Sequence, residues 1–506
     1  MDLRALQNGS DIRGIAIDYE EKQANLTPQQ VKKIAVGIVH WLTNEKGLAE
    51  KHACGQLKIG IGHDSRISAN DLKQALIDQL LLQAVTVLDF GLATTPAMFM
   101  ATQFTAYDCD ATIMITASHL PYYFNGLKLF TKEGGAEKED IHYILTHTAP
   151  TMTEGVGTLI TTDILEAYAA DLTDKIRQGM KTTLKHPLSG FHIIVDAGNG
   201  AGGFFAEKVL AELGADITGS QFLEPDGYFP NHVPNPDNQA AMQSIQTAVL
   251  ENQADLGVIF DTDVDRSAIV DASGEVINRN NLIAVLATIV LEEQPGSSIV
   301  TNSPTSSHLK TFIEAKGGKQ VRYISGYRNV INKMIELNQA GIETPLAIET
   351  SGHAAFKENY NLDDGAYVIA KLLMLLPKLR EAGSTVGDLI TSLNQPVETL
   401  ELRFKIQREQ FRSYGEHVIA ELARFIDKQP GMSLDPENHE GLRVNVADPY
   451  GSGWLLLRMS LHEPLLVLQV ENDQLGMNRK VLASLQPFFE DYELLDLQAL
   501  SEAVEE

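Results

Sequence analysis

The chain has 506 residues, and its 40 Lys+Arg against 67 Asp+Glu give a net charge of −27. With 44% hydrophobic and 21% charged residues, the composition is that of a globular protein and excludes a disordered or fibrous one. A chain this acidic lacks the basic surface that nucleic acids and anionic membranes require, so neither is an expected partner.

The N-terminal segment contains no apolar stretch of the signal-peptide type. The longest apolar run, Leu282 to Leu291, is about half of the roughly 20 residues that a membrane helix needs, so we expect a core helix there. These features predict a cytoplasmic protein. Two cysteines, Cys54 and Cys109, are too few for a disulfide or zinc framework and are expected to be buried free thiols.

A short β-branched run that ends in a polar loop occurs six times, in three successive pairs: 58–66 with 111–119, 192–200 with 256–266, and 298–306 with 345–353. The segments between them have helical periodicity, as in 71–84 and 203–215. Alternating strands and helices are typical of an α/β fold. The three pairs predict three similar α/β/α domains with mixed sheets.

The last hundred residues have a different pattern. A helical segment at 409–427 precedes strand-like runs that end near residue 470, and the acidic, Leu-rich tail from Phe489 predicts a terminal helix. We therefore expect a smaller C-terminal α+β domain. The predicted domains are 1–187, 188–296, 297–396 and 397–506.

The loops that follow the strands are the places to look for function, because ligands of open α/β sheets bind at the carboxyl ends of strands. In the first loop, Thr116 to Phe130, Ser118 directly follows the strand, with His119 beside it and Lys128 downstream. An exposed serine at a strand end suits a nucleophile or phosphate carrier. An ordinary turn or cap is the alternative.

The second loop, DTDVDR, alternates Asp261, Asp263 and Asp265 and ends in Arg266. Close carboxylates repel one another unless a cation joins them, and oxygen ligands suit Mg²⁺. The spacing alone is expected about once per chain by chance, but its position after the apolar run LGVIF strengthens the prediction. An EF-hand is excluded, because Arg266 occupies the position that requires Gly.

The third loop, ETSGH, contains Glu349, Ser351 and His353. A carboxylate and a hydroxyl in one loop can bind sugar hydroxyls, although a turn with a structural histidine is the alternative. Downstream, Asp363 and Asp364 suit the positive N-terminal end of a helix, which predicts a structural role for both.

A fourth candidate loop, RMSLHEP, offers Arg458, Ser460 and His462, which can hold a phosphate dianion.

Taken in order, these motifs resemble those of the α-D-phosphohexomutase family, the phosphoglucomutases and phosphomannomutases. SDIRG (10–14) resembles the family's N-terminal arginine motif, TASHLPYYFNGLK its phosphoserine loop, DTDVDR its metal loop, ETSGH its sugar loop and RMSLHEP its phosphate loop. The resemblance extends over nearly the whole length. It implies three similar α/β domains and a fourth, different one, with the active site in a central cleft.

The resemblance also implies roles for individual residues. Ser118 would be the phosphorylated serine, and its phosphate would bind Mg²⁺ together with Asp261, Asp263 and Asp265. Four basic residues would contact the reacting phosphate or transfer protons: Arg13, Lys128, Arg266 and His353. The sugar phosphate would be bound elsewhere by seven residues: His119, Arg328, Glu349, Ser351, Arg458, Ser460 and His462.

The activity that this resemblance implies is the Mg²⁺-dependent interconversion of hexose 1-phosphate and hexose 6-phosphate. The phosphoserine would form a hexose 1,6-bisphosphate, which also acts as activator. The sequence departs from the family at Leu120, where Asn is usual, and at Leu461-His462, where Gly-Thr is usual. Glycine permits a positive φ, whereas a leucine in the left-handed conformation costs ~1–2 kcal/mol. Either this loop has another shape or it binds phosphate through His462, and our hypothesis is the latter, with altered substrate preference.

Two other classes of protein stay open. VIFDTDVD also resembles the nucleophile motif of haloacid-dehalogenase-type enzymes, in which Asp261 would form an aspartyl phosphate, but this leaves TASH and ETSGH unexplained. A non-catalytic sugar-phosphate-binding member of the family would account for Leu461-His462. The intact Ser118 and three aspartates argue against it.

Overall fold

The computed structural model describes residues 2–150, 156–408, 410–460 and 463–505. They divide into two compact units, one of Met1–Leu282 with Ser351–Asp388 and one of Ile283–Thr350 with Leu389–Glu506. Within the described residues, no helix is both long and apolar enough to cross a membrane.

Strands and helices alternate along most of the chain. The strands are β1 Gln7–Asn8, β2 Asp11–Ile15, β3 Lys58–His63, β4 Thr86–Leu92, β5 Ala111–Ile115, β6 Phe124–Thr131, β7 Gly134–Gly135, β8 Leu159–Thr161, β9 Ile193–Asp196, β10 Leu256–Phe260, β11 Ser267–Asp271, β12 Val276–Ile277, β13 Ser298–Asn302, β14 Lys319–Tyr323, β15 Leu346–Ile348, β16 Ala354–Phe356, β17 Leu362–Asp363, β18 Glu398–Lys405, β19 Met432–Leu434, β20 Leu442–Val446, β21 Gly453–Met459 and β22 Leu465–Asn472. The α-helices are α1 Pro28–Asn44, α2 Ala49–Ala53, α3 Ala69–Leu81, α4 Thr95–Gln103, α5 Lys138–Thr146, α6 Leu165–Gly179, α7 Gln239–Asn252, α8 Arg279–Glu293, α9 Ser307–Ala315, α10 Tyr327–Gln339, α11 Gly365–Glu381, α12 Phe411–Ile426, α13 Met477–Phe489 and α14 Gln498–Glu505.

The first unit contains two mixed sheets. In the larger one the order is β1-β2-β6-β5-β3-β4-β8, with β7 on β6. Strands β3, β4 and β5 are parallel, whereas β6 is antiparallel to both β5 and β2. The second sheet has the order β12-β11-β10-β9, with β9 parallel to β10. Because β3 and β5 are parallel neighbours in the first sheet, the loops that follow them lie at the same end of that sheet.

The second unit combines parallel and antiparallel pairing. Strands β13, β14 and β15 are parallel to one another, with β13 between the other two. The last part of the chain forms an antiparallel sheet of order β18-β22-β21-β20-β19, whose apolar face packs with α12, α13 and α14 around one core. This confirms the predicted fold class of three α/β/α domains with mixed sheets and a smaller C-terminal α+β domain.

Most predicted elements agree with the structure, with two differences. The predicted helix at 203–215 contains a π-helix, Phe205–Leu210. The terminal helix begins only at Gln498. Cys109 is buried as expected, but Cys54 is exposed at the end of the short helix α2, so the prediction was wrong for that thiol. The apolar run Leu282 to Leu291 lies in α8 and is buried, as predicted.

Candidate functional site

Ser118 lies three residues beyond the end of the interior strand β5. Its backbone is in the left-handed conformation (φ 52°), and its side chain is buried, whereas the sequence predicted an exposed one. The hydroxyl Oγ donates to Asp261 Oδ2 at 3.0 Å and accepts from Arg266 Nη2 at 2.9 Å. The structure thus joins the serine loop of the first sheet to the aspartate loop of the second.

The aspartate loop forms the turn between β10 and the antiparallel strand β11. Asp261, Asp263 and Asp265 are fully buried, and each places a carboxylate oxygen within 4.8 Å of the others. Among the described residues, the buried atoms Asp263 Oδ1 and Asp265 Oδ1 have no hydrogen-bond partner. Buried acceptors normally have partners, and a divalent cation with oxygen ligands would provide one here. The residues present therefore fit a metal such as Mg²⁺.

Two buried cations balance these carboxylates. Arg266 contacts Asp261 through Nε and Nη2, at 3.0 and 2.9 Å. Lys128, on β6, pairs with both Asp263 (3.1 Å) and Asp265. Burial, and next the neighbouring carboxylate of Asp265, raises the pKa of Asp261 well above its usual range.

The two histidines near this cluster have opposite protonation. Arg266, together with burial, lowers the pKa of His119 to about 2, so its neutral Nδ1 accepts from Arg266 Nη2 at 2.6 Å. Burial alone would lower the pKa of His353, but the carboxylates of Asp363 and Asp265 outweigh it and raise this pKa to about 9. His353 therefore carries a proton at neutral pH.

Asp363 has a different place from the one expected. Its Oδ2 lies 2.5 Å from His353 Nδ1, so it orients the imidazole instead of capping a helix. Asp364 does cap α11 by accepting from the backbone of Tyr367 at 2.8 Å, as predicted. The prediction was right for Asp364 and wrong for Asp363. Asp363 is the last residue of β17 and Asp364 directly follows it, and their carboxylates point to different neighbours.

Arg13 is the fourth of the basic residues that were predicted for the reacting phosphate. It lies on β2, beside β6, and pairs with Asp11 at 2.9 Å. Its positive charge contributes to the low pKa of His119, which places it in the same electrostatic environment. The first unit therefore brings together every residue predicted for the reacting end.

The remaining predicted residues lie in separate segments. Glu349, after β15, is buried and accepts from the backbone of Gly326 at 2.7 Å, next to the start of α10, which carries Arg328. Ser351, in the first unit, has a buried hydroxyl that has no hydrogen-bond partner in the part of the chain that the structure describes. Arg458 is the second-last residue of β21, and Ser460 directly follows the strand. Leu461 and His462 lie outside the described residues.

Three buried residues that support the site were not identified from the sequence: Asp64, Arg66 and Thr95. Asp64 and Arg66 follow β3, and Thr95 begins α4 and contacts Asp263 through both its backbone N–H (2.9 Å) and its hydroxyl. The polar loop HDSR at the end of a strand was a usable signal for the first two. No local pattern marks Thr95, because its partner is 168 residues away.

Comparisons with known proteins agree with this geometry. Family models described as phosphoglucomutase/phosphomannomutase, alpha/beta/alpha domains I, II and III match residues 4–152, 155–274 and 278–396. A phosphomannomutase/phosphoglucomutase of Pseudomonas putida is 30% identical over 444 residues, covering 87% of this chain and 89% of that protein. A phosphoglucomutase of Neisseria gonorrhoeae is 30% identical over 435 residues (85% and 86%). A crystal structure of a phosphoglucomutase/phosphomannomutase family protein from Burkholderia thailandensis has a TM-score of 0.77 at 25% identity, covering 97% of this chain and 98% of that one.

Proposed function

The chain belongs to the phosphoglucomutase/phosphomannomutase family, and from that premise we propose that it interconverts a hexose 1-phosphate and the corresponding 6-phosphate through a phosphoserine at Ser118 and a hexose 1,6-bisphosphate. It is an enzyme, an intramolecular phosphotransferase. The observation that carries the proposal is the position of Ser118 Oγ, which contacts an aspartate of the candidate metal loop at 3.0 Å and a buried arginine at 2.9 Å.

Phosphoryl transfer makes specific demands that these residues meet. Uncatalysed phosphate-monoester hydrolysis needs accelerations of up to ~10²¹, and proteins achieve them chiefly by positioning and charge neutralisation. Mg²⁺ held by Asp261, Asp263 and Asp265 would supply positive charge to the phosphoryl oxygens. Arg266 adds charge from the chain itself, because its Nη2 already touches the oxygen that would carry the phosphate.

The transfer then runs in two balanced steps. The P–O bond to Ser118 Oγ breaks as the free hydroxyl of the hexose monophosphate forms a new P–O bond. The hydroxyl loses its proton and Ser118 Oγ gains one, so the serine leaves as a free hydroxyl and the basic residues of the site keep their charge. After the bisphosphate has turned over, the other phosphoryl group returns to Ser118 Oγ. We assign contact with the reacting phosphate to Arg13, and proton transfer or phosphate contact to Lys128 and His353.

Both steps require a grip on the sugar and on the non-reacting phosphate that serves two orientations. We assign binding of the sugar phosphate near the sugar to His119, Arg328, Glu349 and Ser351. We assign binding of the non-reacting phosphate to Arg458, Ser460 and His462. In this proposal the serine, metal, sugar and phosphate loops belong to domains 1–187, 188–296, 297–396 and 397–506. Glucose and mannose differ only at C2, so contacts to other hydroxyls would accept both.

A coupled mutase assay tests the proposal. Glucose, mannose and glucosamine 1-phosphates are offered side by side with Mg²⁺ and a trace of hexose 1,6-bisphosphate. We expect turnover of glucose or mannose 1-phosphate and a loss of more than ~10³-fold in Ser118→Ala, because the phosphate carrier is gone. Ser189→Ala, at an exposed serine far along the chain, is the control and should retain full activity. Wild-type activity that survives Ser118→Ala would refute the serine mechanism.

Peptide mapping of the phosphorylated protein separates the remaining alternatives. Phosphate on Asp261 would indicate the haloacid-dehalogenase type of chemistry. The structure offers that residue little freedom as a nucleophile, because its carboxylate accepts from Ser118 Oγ and from the Arg266 side chain and backbone. Absence of turnover on all three sugars, with retained sugar-phosphate binding, would indicate the non-catalytic alternative.

A further inference from the structure

Arg66 uses every hydrogen-bond donor of its side chain, and four of the five donate to the serine loop. It is buried, with 2% of its surface exposed. Nε donates to Asp64 Oδ2 at 3.2 Å. The other four N–H groups donate to backbone carbonyls, at distances of 2.5 Å to Ser118, 2.6 Å to Leu120, 2.8 Å to Pro121 and 3.0 Å to Phe124. A guanidinium has five N–H donors in a fixed planar fork, and all five are engaged.

A second arm reaches the same serine from the other side. Asp64 Oδ2, which pairs with Arg66, also accepts from Thr116 Oγ1 at 2.7 Å. Thr116 Oγ1 in turn accepts from the backbone N–H of Ser118 at 2.9 Å. The N–H and the C=O of Ser118 are therefore both tied, through one closed ring of hydrogen bonds, to the loop that follows β3.

The serine loop needs such support from outside. Ser118 is held at a positive φ of 52°, which costs roughly 1–2 kcal/mol for a residue with a Cβ and persists only where the surroundings fix it. Leu120 offers no polar side chain to the loop, and Pro121 has no backbone N–H. A buried carbonyl without a partner is costly, and the guanidinium provides a hydrogen-bond donor to each of these carbonyls, of which that of Pro121 also accepts from the Phe124 N–H at 3.0 Å.

We propose that Arg66 is a positioning residue for phosphoryl transfer: through the carbonyls of the serine loop it fixes Ser118 Oγ opposite the aspartate loop. The proposal rests on the proposed function. Arg66 donates to none of the atoms that would react, so it acts only through Ser118. Loss of the clamp should lower kcat, because a shift of about 1 Å at a reacting group can cost ~10²-fold. The KM for the sugar phosphate and the affinity for the metal should stay near the wild-type values.

The test compares Arg66→Lys with the wild-type enzyme. Lysine keeps the positive charge, but its ammonium has three N–H donors on one atom instead of five in a planar fork, so it cannot serve four carbonyls. We expect kcat to fall ~10²-fold, with KM and Mn²⁺ affinity, measured by calorimetry, changed less than about threefold. The rate of Ser118 phosphorylation by glucose 1,6-bisphosphate, followed by intact-protein mass spectrometry, should fall in parallel with kcat. Arg424→Lys, at an arginine whose side chain is 72% exposed, is the matched control.

A second variant keeps the proposal testable if Arg66→Lys does not fold. Thr116→Val breaks the other arm of the ring without removing a charge, and we expect kcat to fall ~10-fold with KM unchanged. Wild-type kcat in a folded Arg66→Lys protein, or an increase of KM at constant kcat, would overturn the positioning role. A wild-type enzyme that fails to accept phosphate at Ser118 would overturn the proposed function itself, which separates the two failures.

Discussion

Lys128 is one of the two buried cations that balance the charge of the aspartate loop. It is buried and pairs with both Asp263 and Asp265. Removing one partner of a buried ion pair leaves an uncompensated charge, which is far more costly than the pair itself is stabilising. A bound divalent cation can take over this role.

We therefore predict that Lys128→Met destabilises the protein in EDTA and is rescued by Mg²⁺. The apparent free energy of unfolding in urea should fall by about 3–5 kcal/mol in EDTA, and saturating Mg²⁺ should restore most of it. Lys132→Met is the control, because Lys132 pairs with Asp108 at the surface and such pairs contribute only ~0–1 kcal/mol. An equal loss of stability in both media would contradict a metal site at these aspartates.

Site residues that follow a strand were predictable from the sequence, whereas the buried residues that hold them in place were not. Ser118 and Asp261 each follow an apolar run, so local pattern and strand polarity were enough to select them. Arg66 and Thr95 contact partners that are 52 and 168 residues away in the chain, and only the tertiary fold brings them together. Asp363 was misassigned because sequence alone gives no direction to either of two neighbouring carboxylates.

At the level of elements, α11 begins at a buried acidic cap. Asp364 accepts from Tyr367 N–H (2.8 Å), the Tyr168 hydroxyl (2.6 Å) and Asn359 Nδ2 (3.0 Å). Burial outweighs these hydrogen bonds and raises the pKa of Asp364 from 3.8 to about 6. Between these two pH values the folded protein holds a proton that the unfolded chain releases, so stability falls as pH rises through this window.

Asp364→Asn should remove this pH dependence, because asparagine also caps helices but does not titrate. We expect the stability of wild type relative to the variant to fall by up to ~3 kcal/mol from about pH 4 to about pH 6 and to stay constant above it. Urea unfolding across this range measures the difference. Asp174→Asn, at an aspartate whose side chain is 69% exposed, should show no such trend. A constant difference between wild type and Asp364→Asn would mean that the carboxyl titrates normally.

The alternation of strands and helices was predictable from the sequence, because each of these strands is a short apolar run followed by a polar loop. All six paired runs are strands, and the members of each pair are parallel neighbours: β3 with β5, β9 with β10, and β13 with β15. The π-helix at Phe205–Leu210 was not predictable, since the same apolar spacing serves an α-helix. Its extra residue per turn has no counterpart in the hydrophobic pattern.

At the scale of the whole molecule, the net charge of −27 opposes the approach of an anionic sugar phosphate. The basic residues of the site act over short distances, whereas the field of the surface carboxylates extends to about a Debye length, ~30 Å at 0.01 M salt and ~8 Å at 0.15 M. Screening should therefore weaken the repulsion more than the attraction.

We predict that the KM for the hexose 1-phosphate falls by about 2–5-fold as ionic strength rises from ~0.01 to ~0.15 M, while kcat stays constant. Steady-state kinetics in NaCl and in choline chloride measure this and control for specific binding of sodium. A KM that rises with salt would show that local attraction by the basic residues dominates the field of the molecule.

The double contact of Thr95 with Asp263 has a consequence for how this molecule can be recombined. The aspartate loop takes its shape from a backbone N–H and a hydroxyl on α4, and its charge balance from Lys128 on β6, although neither belongs to its own sheet. A chimera that imports residues 188–296 from a relative would inherit the three carboxylates without the groups fitted to them. The 261–266 loop depends on its contacts with Thr95 and Lys128. All three must therefore be exchanged together in such a chimera.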